Sequence, residues 1–399
     1  MSVQLADELQ QVLKRTESIF DLIQPEAYYE KPIPLRHPIV FYEGHLPGFT
    51  WNTLFRKVLG EPSFNPELDI LFARGIDPAD TNTANALNQK LWPDRAIVLE
   101  YKNKIYERLF NYLETEENVH PILYLLLEHD LMHQETLLYI IHQLPHHLKI
   151  KPTNLQRITT GKTPTPVMKE IDAGMALLGA RPDEFRYVWD NEEPAQEVFV
   201  PGFSMDAYNI TNGEFLAFIE AEGCKPPEFW YQQDNVWFLK DFFEDIPLPL
   251  DWPVYVTQAE AMAYAHYVKK DLPTEAQWHR AAYGDQETLP PNYTGNFDFK
   301  SYSPVPVGSF ESLNGVYDLV GNGWEWTATP FMPFPGFKAS EGYPQYSADF
   351  FDGEHYVIKG GSNFTDARLL RRSFRNWFYS HYPYMYATFR CVSNINPKY

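Results

Sequence analysis

Hydrophobic and polar positions divide the chain into two textures. Up to residue 148 apolar residues recur at three- and four-residue spacing, as on helices that bury one face. Four stretches follow that rule. They are 4–23, 36–59 after the Pro32 and Pro34 break, 93–113 behind Trp92-Pro93-Asp94, and 121–144, stopped by Pro145. Beyond residue 168 short β-like runs take over, separated by Gly, Pro and Asn turns, as at 174–179 and 203–206. Two helical stretches interrupt them, one at 211–222, where Thr211 and Glu214 make a capping-box pattern, and one at 257–269. Segments 356–362 and 387–392 again read as strands ending in tight turns. The expected architecture is a four-helix bundle over 1–148, a Pro- and Thr-rich linker over 149–168, and an α+β domain over 169–399.

The fourth helical stretch holds the densest chemistry. Leu123, Leu126, Leu127, Leu131, Leu137, Leu138 and Ile141 form its apolar stripe, and Glu128-His129-Asp130-Leu131-Met132-His133-Gln134-Glu135 lies inside it. Residues four apart share a helix face, so His129 and His133 point the same way and can bind one metal ion. Two core-edge histidines bonded to nearby carboxylates would give the same pattern. Glu128, Asp130 and Glu135 are the carboxylates placed to orient imidazole N–H groups.

Composition narrows the field. The formal charge of −20 argues against nucleic acid or an anionic membrane surface as partner, since both need basic patches. Cys224 and Cys391 are too few for a disulfide scaffold or a cysteine zinc site, and they fit a reducing compartment. The N-terminal segment lacks the basic and apolar regions of a secretory signal, and no apolar run reaches membrane-spanning length. A soluble, cytoplasmic protein acting on small molecules is expected. The pattern is silent on oligomeric state.

Several segments of the second half then point to a known fold. Val200-Pro201-Gly202-Phe203, Asn209-Ile210-Thr211-Asn212-Gly213-Glu214-Phe215, Trp252-Pro253-Val254, Leu272-Pro273-Thr274-Glu275-Ala276-Gln277-Trp278, the run from Gly315 to Thr327, Gly360-Gly361-Ser362 and Phe389-Arg390 occur in that order. Together they resemble the formylglycine-generating, sulfatase-modifying-factor fold, a C-type-lectin-like α+β domain. The copper oxidases of that fold bind metal through a cysteine pair just upstream of the final Arg-Cys. Here residues 380–387 contain no cysteine, so copper chemistry is disfavoured.

A helical bundle joined to this fold is similar to the non-heme iron sulfoxide synthases: the EgtB type of ergothioneine biosynthesis, the OvoA type of ovothiol biosynthesis, and the selenoneine synthases. The resemblance implies a DinB-like bundle that holds Fe2+ through one early histidine and an H-x-x-x-H pair, here His129 and His133. The early ligand falls within Leu35-Arg36-His37-Pro38-Ile39-Val40-Phe41-Tyr42-Glu43-Gly44-His45. His45 is favoured, because His37 precedes Pro38 and marks the helix start. Phe350-Phe351-Asp352-Gly353 and Arg372-Ser373-Phe374-Arg375-Asn376-Trp377 match the EgtB pattern. By that match Tyr343 is the catalytic tyrosine, and Tyr346, Arg375, Asn376, Trp377 and Phe378 are substrate-binding positions.

The implied reaction joins a thiol, γ-glutamylcysteine or cysteine, to the imidazole of N-alpha-trimethylhistidine (hercynine) with O2, giving a sulfoxide. One departure bears on the donor. Phe378 stands where one subtype has an acidic residue that contacts the thiol substrate. The arginines that hold the donor carboxylates have no clear counterpart, and Arg74 and Arg95 are candidates. The alternatives are a selenosugar donor, an OvoA-like reaction with cysteine and histidine, a zinc-dependent thiol transferase, and a non-catalytic lectin-like binding module.

Overall fold

Two helices that are buried on nearly every side organise the first half of the molecule. A computed structural model of the chain describes residues 2–73, 92–116, 118–153, 155, 164–286 and 293–394. It divides into two compact units, Met1–Thr153 and Asn154–Tyr399. The first contains α1 (Ser2–Phe20), α2 (Ile39–Thr50), α3 (Pro66–Phe72), α4 (Arg95–Thr115) and α5 (Ile122–His142). In α2 every residue except Phe49 is buried, and in α5 only Ile122, Tyr124, Met132 and His142 are not. Helices without a polar face are interior helices. Accordingly α2 packs against α3, α4 and α5, while α1 lies on α4 and α5. Gln134 on α5 ties it to α1, donating to the Val12 carbonyl at 2.9 Å and the Thr16 hydroxyl at 3.0 Å.

The expected helix over 36–59 is two segments. Pro38 precedes the first turn, and after Thr50 the chain continues as a π-helix, Trp51–Val58. Pro47 sits inside α2 and has no N–H to donate. Helix α3 was not expected, although Asn65-Pro66-Glu67 is a start signal: Asn65 accepts from the Leu68 N–H at 3.2 Å, and Pro66 fills the first helical position. No helix among the described residues is long and apolar enough to cross a membrane.

The second unit is built from short strands. One sheet has the order β1 (Met168–Ile171), β4 (Phe203–Asp206), β12 (Val392–Asn394). A second runs β10 (Asn376–Tyr379), β9 (His355–Lys359), β8 (Trp324–Pro330), β11 (Ala387–Thr388). β2 (Gly174–Leu178) and β3 (Gln196–Val200) pair as a hairpin, and β5 (Trp230–Gln233), β6 (Val236–Lys240) and β7 (Asp245–Pro247) form a meander. The helices are α6 (Asn212–Glu222), α7 (Gln258–Tyr267), α8 (Glu275–Tyr283) and the single turn α9 (Gln345–Ala348). Complete capping boxes open the first three, at Thr211/Glu214, Thr257/Glu260 and Thr274/Gln277. The third of these was legible in Thr274 and Gln277, yet α8 was not among the expected elements. Most of residues 154–163, where the linker was expected, lie outside the described residues.

The motif residues of the second half converge on one buried ion pair. Arg390 and Glu325 are both inaccessible to solvent, with Arg390 Nε 2.8 Å and Nη2 2.6 Å from the carboxylate. The Trp278 indole N–H donates to Glu325 at 3.0 Å and the Asn209 amide at 2.9 Å. Arg390 also donates to the carbonyls of Asp206, Ala207 and Tyr317. Four segments far apart in sequence are thereby tied at one point.

Candidate metal centre

Helix α2 contributes His45 and helix α5 contributes His129 and His133. All three are buried, and one nitrogen of each lies within 4.8 Å of the others. His129 Nε2 and His133 Nε2 are 3.1 Å apart. Two nitrogens each about 2.1 Å from a shared ion stand that far apart when their bonds meet near a right angle. His45 Nδ1 lies 2.8 Å from the Phe72 carbonyl. A carbonyl only accepts, so Nδ1 carries the proton and Nε2 is left as the free donor atom of that ring.

Electrostatics favours a ligand set over a titrating one. Burial pushes His45 down to about 4, with the Phe72 hydrogen bond opposing. Burial, then the neighbouring imidazoles, hold His129 well below the usual range; burial, then His45 and Arg36, do the same for His133. The Nδ1 atoms of His129 and His133 are buried without a hydrogen-bond partner in the protein, and Asp130 Oδ1 stands 3.6 Å from the former, beyond hydrogen-bond length. Burial raises that carboxyl to about 8. Three neutral imidazoles in a dry pocket fit a divalent transition metal and leave up to three positions for exogenous ligands.

The structure sorts the remaining expectations. His37 is buried against Phe41, ring centroids 4.1 Å apart, and is not a member of the three-histidine group. The carbonyl of Phe72 orients His45. Arg95, a candidate for a donor carboxylate, pairs within the unit, Nε and Nη2 being 3.1 and 3.0 Å from the Glu43 carboxylate. Arg74 lies outside the described residues. The sequence reading missed two rings that shape the centre. Phe49 stacks flat on His129 at 3.7 Å, and Phe41 stacks on His45 at 4.8 Å. Both stand four residues from His45 on α2, a spacing that places them on its face.

The expected substrate residues lie in the second unit. The Trp377 ring on β10 stacks on Phe331 at 4.1 Å, with Tyr346 edge-on at 5.2 Å and Phe350 at 5.6 Å. Tyr346 stacks on Trp189 at 3.8 Å, and Tyr343 lies 5.8 Å from Tyr346. Burial raises the Tyr343 phenol, so it stays protonated at neutral pH. Asn376 accepts from the Trp377 N–H at 2.9 Å, and the Phe378 ring stacks on Tyr382 at 5.2 Å. Arg375 is paired inside this unit. Its guanidinium is buried, 3.0 and 3.2 Å from the Glu275 carboxylate, and donates to the carbonyls of Asn191 and Met332. It holds this wall together, with four of its five N–H donors engaged by these partners.

The chain is similar to several known proteins. The ergothioneine biosynthesis protein 1 of Schizosaccharomyces pombe is 30% identical, the alignment covering 94% of this chain and 54% of that protein. The hercynine oxygenase of Mycobacterium tuberculosis is 32% identical over 52% of this chain and 56% of its own length. That of Mycolicibacterium smegmatis is 28% identical over 94% of both chains. The chain thus spans about half the length of the first two of these relatives. Residues 156–395 match the sulfatase-modifying factor enzyme 1-like domain, and the chain belongs to that family.

Proposed function

We propose that the protein is an iron(II)- and O2-dependent sulfoxide synthase of ergothioneine biosynthesis. In this reading it joins the sulfur of γ-glutamylcysteine or cysteine to an imidazole carbon of hercynine. One C–H and one S–H are consumed with one O2, and the products are the C–S-linked sulfoxide and water. The observation that carries the reading is the convergence of His45, His129 and His133 as three buried, neutral donors. The names of the relatives, ergothioneine biosynthesis protein and hercynine oxygenase, support the substrate class. The first unit is then a DinB-like bundle whose interior helices hold the metal.

Iron(II) held there would supply the binding and one-electron reduction of O2. The protein's own part is positional. Phe41 and Phe49 keep water from the imidazoles and fix their planes. Tyr343, held protonated, is assigned as the proton donor of the oxidative step. Trp377 and Tyr346 offer π faces and edges to the trimethylammonium group of hercynine, and Asn376 a polar contact beside it. Phe378 offers no charge to the thiol donor, which favours a donor recognised by other contacts than the subtype with an acid there.

The test is anaerobic loading with Fe2+ followed by O2 uptake against a panel of thiols, each with and without hercynine. Uptake that requires hercynine and a thiol together is the expected result. No uptake with any pair would sink the synthase reading.

A further inference from the structure

Helix α3 is seven residues long and holds no metal ligand, yet several contacts fix it in place. The buried Asp69 carboxylate accepts from the Tyr101 hydroxyl at 2.8 Å and from the Trp51 indole N–H at 3.1 Å. The Asn52 amide donates to the Asp69 carbonyl at 3.0 Å. On its other side α3 lies against a bare strip of α2. A Cβ at Gly44 would stand 2.2 Å from Phe72 Cζ, and one at Gly48 would stand 2.9 Å from Phe72 Cβ. The Phe72 ring is fully buried between Phe41 and Tyr101, so it has nowhere to swing. Phe72 is also the last residue of α3, where a carbonyl has no partner within its own helix. That carbonyl is the one that receives His45 Nδ1.

We propose that α3 is a positioning element of the metal centre: Gly44 and Asp69 seat the Phe72 carbonyl against His45 Nδ1 and thereby turn Nε2 toward His129 and His133. The inference rests on reading the three histidines as metal ligands, and it adds which residues hold His45 in its binding tautomer. An imidazole without such a partner exchanges tautomers and ring flips, and each alternative removes the donor atom from the group. A main-chain carbonyl does this without adding charge, unlike a carboxylate, and so keeps the ligand set neutral. A serine, asparagine or acid need not be present for the role, which is why no side chain in the sequence announced it.

The test begins with Gly44→Ala. Alanine is the better helix former, so α2 itself does not suffer, and any loss arises from the displaced Phe72. Affinity for Co2+ or Zn2+, measured by competition with a chelator, is expected to fall about 10- to 100-fold, the range seen when a ligand loses its orienting partner. Phe72→Ala retains the carbonyl while removing the ring, so the Gly44→Ala/Phe72→Ala double variant is expected to recover most of the affinity. Asp69→Ala is expected to lose it as Gly44→Ala does. In metal-free wild-type protein, long-range 1H–15N correlation should show His45 protonated on Nδ1. Unchanged affinity in Gly44→Ala, no recovery in the double variant, or an Nε2-protonated His45 would overturn the proposal. The tautomer is read without metal, so it decides the matter even if Gly44→Ala does not fold. Wild-type protein that binds no transition metal at all would instead sink the metal-centre reading.

Discussion

His45, His129 and His133 illustrate how much of a candidate metal site lies outside its histidines. Each ring is buried among apolar neighbours that keep it neutral, and His45 is aimed by a main-chain carbonyl. Replacing any of the three by Ala is expected to abolish stoichiometric metal binding while leaving the helical circular dichroism intact; a variant that keeps its full metal content would exclude that residue as a ligand. In the second unit, Trp377→Ala should raise the KM for hercynine roughly 5- to 30-fold, the equivalent of about 1–2 kcal/mol of cation–π contact, with a smaller effect on kcat. Tyr343→Phe should do the reverse, lowering kcat by about 10²–10⁴-fold with KM nearly unchanged, as removal of a general acid does. Equal effects of both variants on KM would leave Tyr343 a binding residue only. At this scale the sequence was readable where chemistry resides in side chains at helical spacing, as for His129 and His133. It was silent on the long-range ion pairs that engage the candidate arginines: Arg95 with Glu43 and Arg375 with Glu275, partners 52 and 100 residues distant.

The elements were legible in proportion to their local signals. Helices formed at the two expected stretches 211–222 and 257–269, and the expected helices over 4–23, 93–113 and 121–144 are present as α1, α4 and α5. Helix α3 and the π turn after Thr50 escaped because one is short and the other repeats at an unusual period. The segments that carried the family resemblance proved to be structural. Asn209, Trp278, Glu325 and Arg390 meet in one buried network, which explains why such motifs report the fold and say little about the reaction. Removing one partner of a buried pair leaves an uncompensated charge, so Glu325→Ala should destabilise the protein by about 3–5 kcal/mol in urea unfolding; a loss under 1 kcal/mol, roughly what a surface pair contributes, would contradict that reading. Strand β9 offers a pH test. Burial pushes the Lys359 ammonium down to about 8, whereas in the unfolded chain it titrates near 10.4. Between those values the unfolded chain holds a proton that the folded one has lost, so the lysine's contribution to stability grows as pH rises from about 8 and levels off near 10.4. The stability difference between wild type and Lys359→Met should shift in favour of wild type across that window, and a flat difference would contradict the burial of the ammonium.

The chain carries a helical unit with three clustered buried histidines and a second unit that belongs to the sulfatase-modifying factor family. Its charge of −20 fits small-molecule substrates better than polyanions, and the catalytic reading needs nothing from a macromolecular partner. Metal that binds only the folded protein also stabilises it, by about 2.7 kcal/mol at a hundredfold excess over Kd. Chelation should therefore lower the melting temperature in wild type and leave the histidine variants unmoved. The central claim is the bond the protein forms, and product mass reads it most directly. Iron-loaded protein supplied with hercynine, γ-glutamylcysteine or cysteine, and 18O2 is expected to yield a species equal to the two substrates plus one labelled oxygen atom less two hydrogens. Hercynine recovered unchanged, with the thiol merely oxidised to its disulfide, would contradict the account.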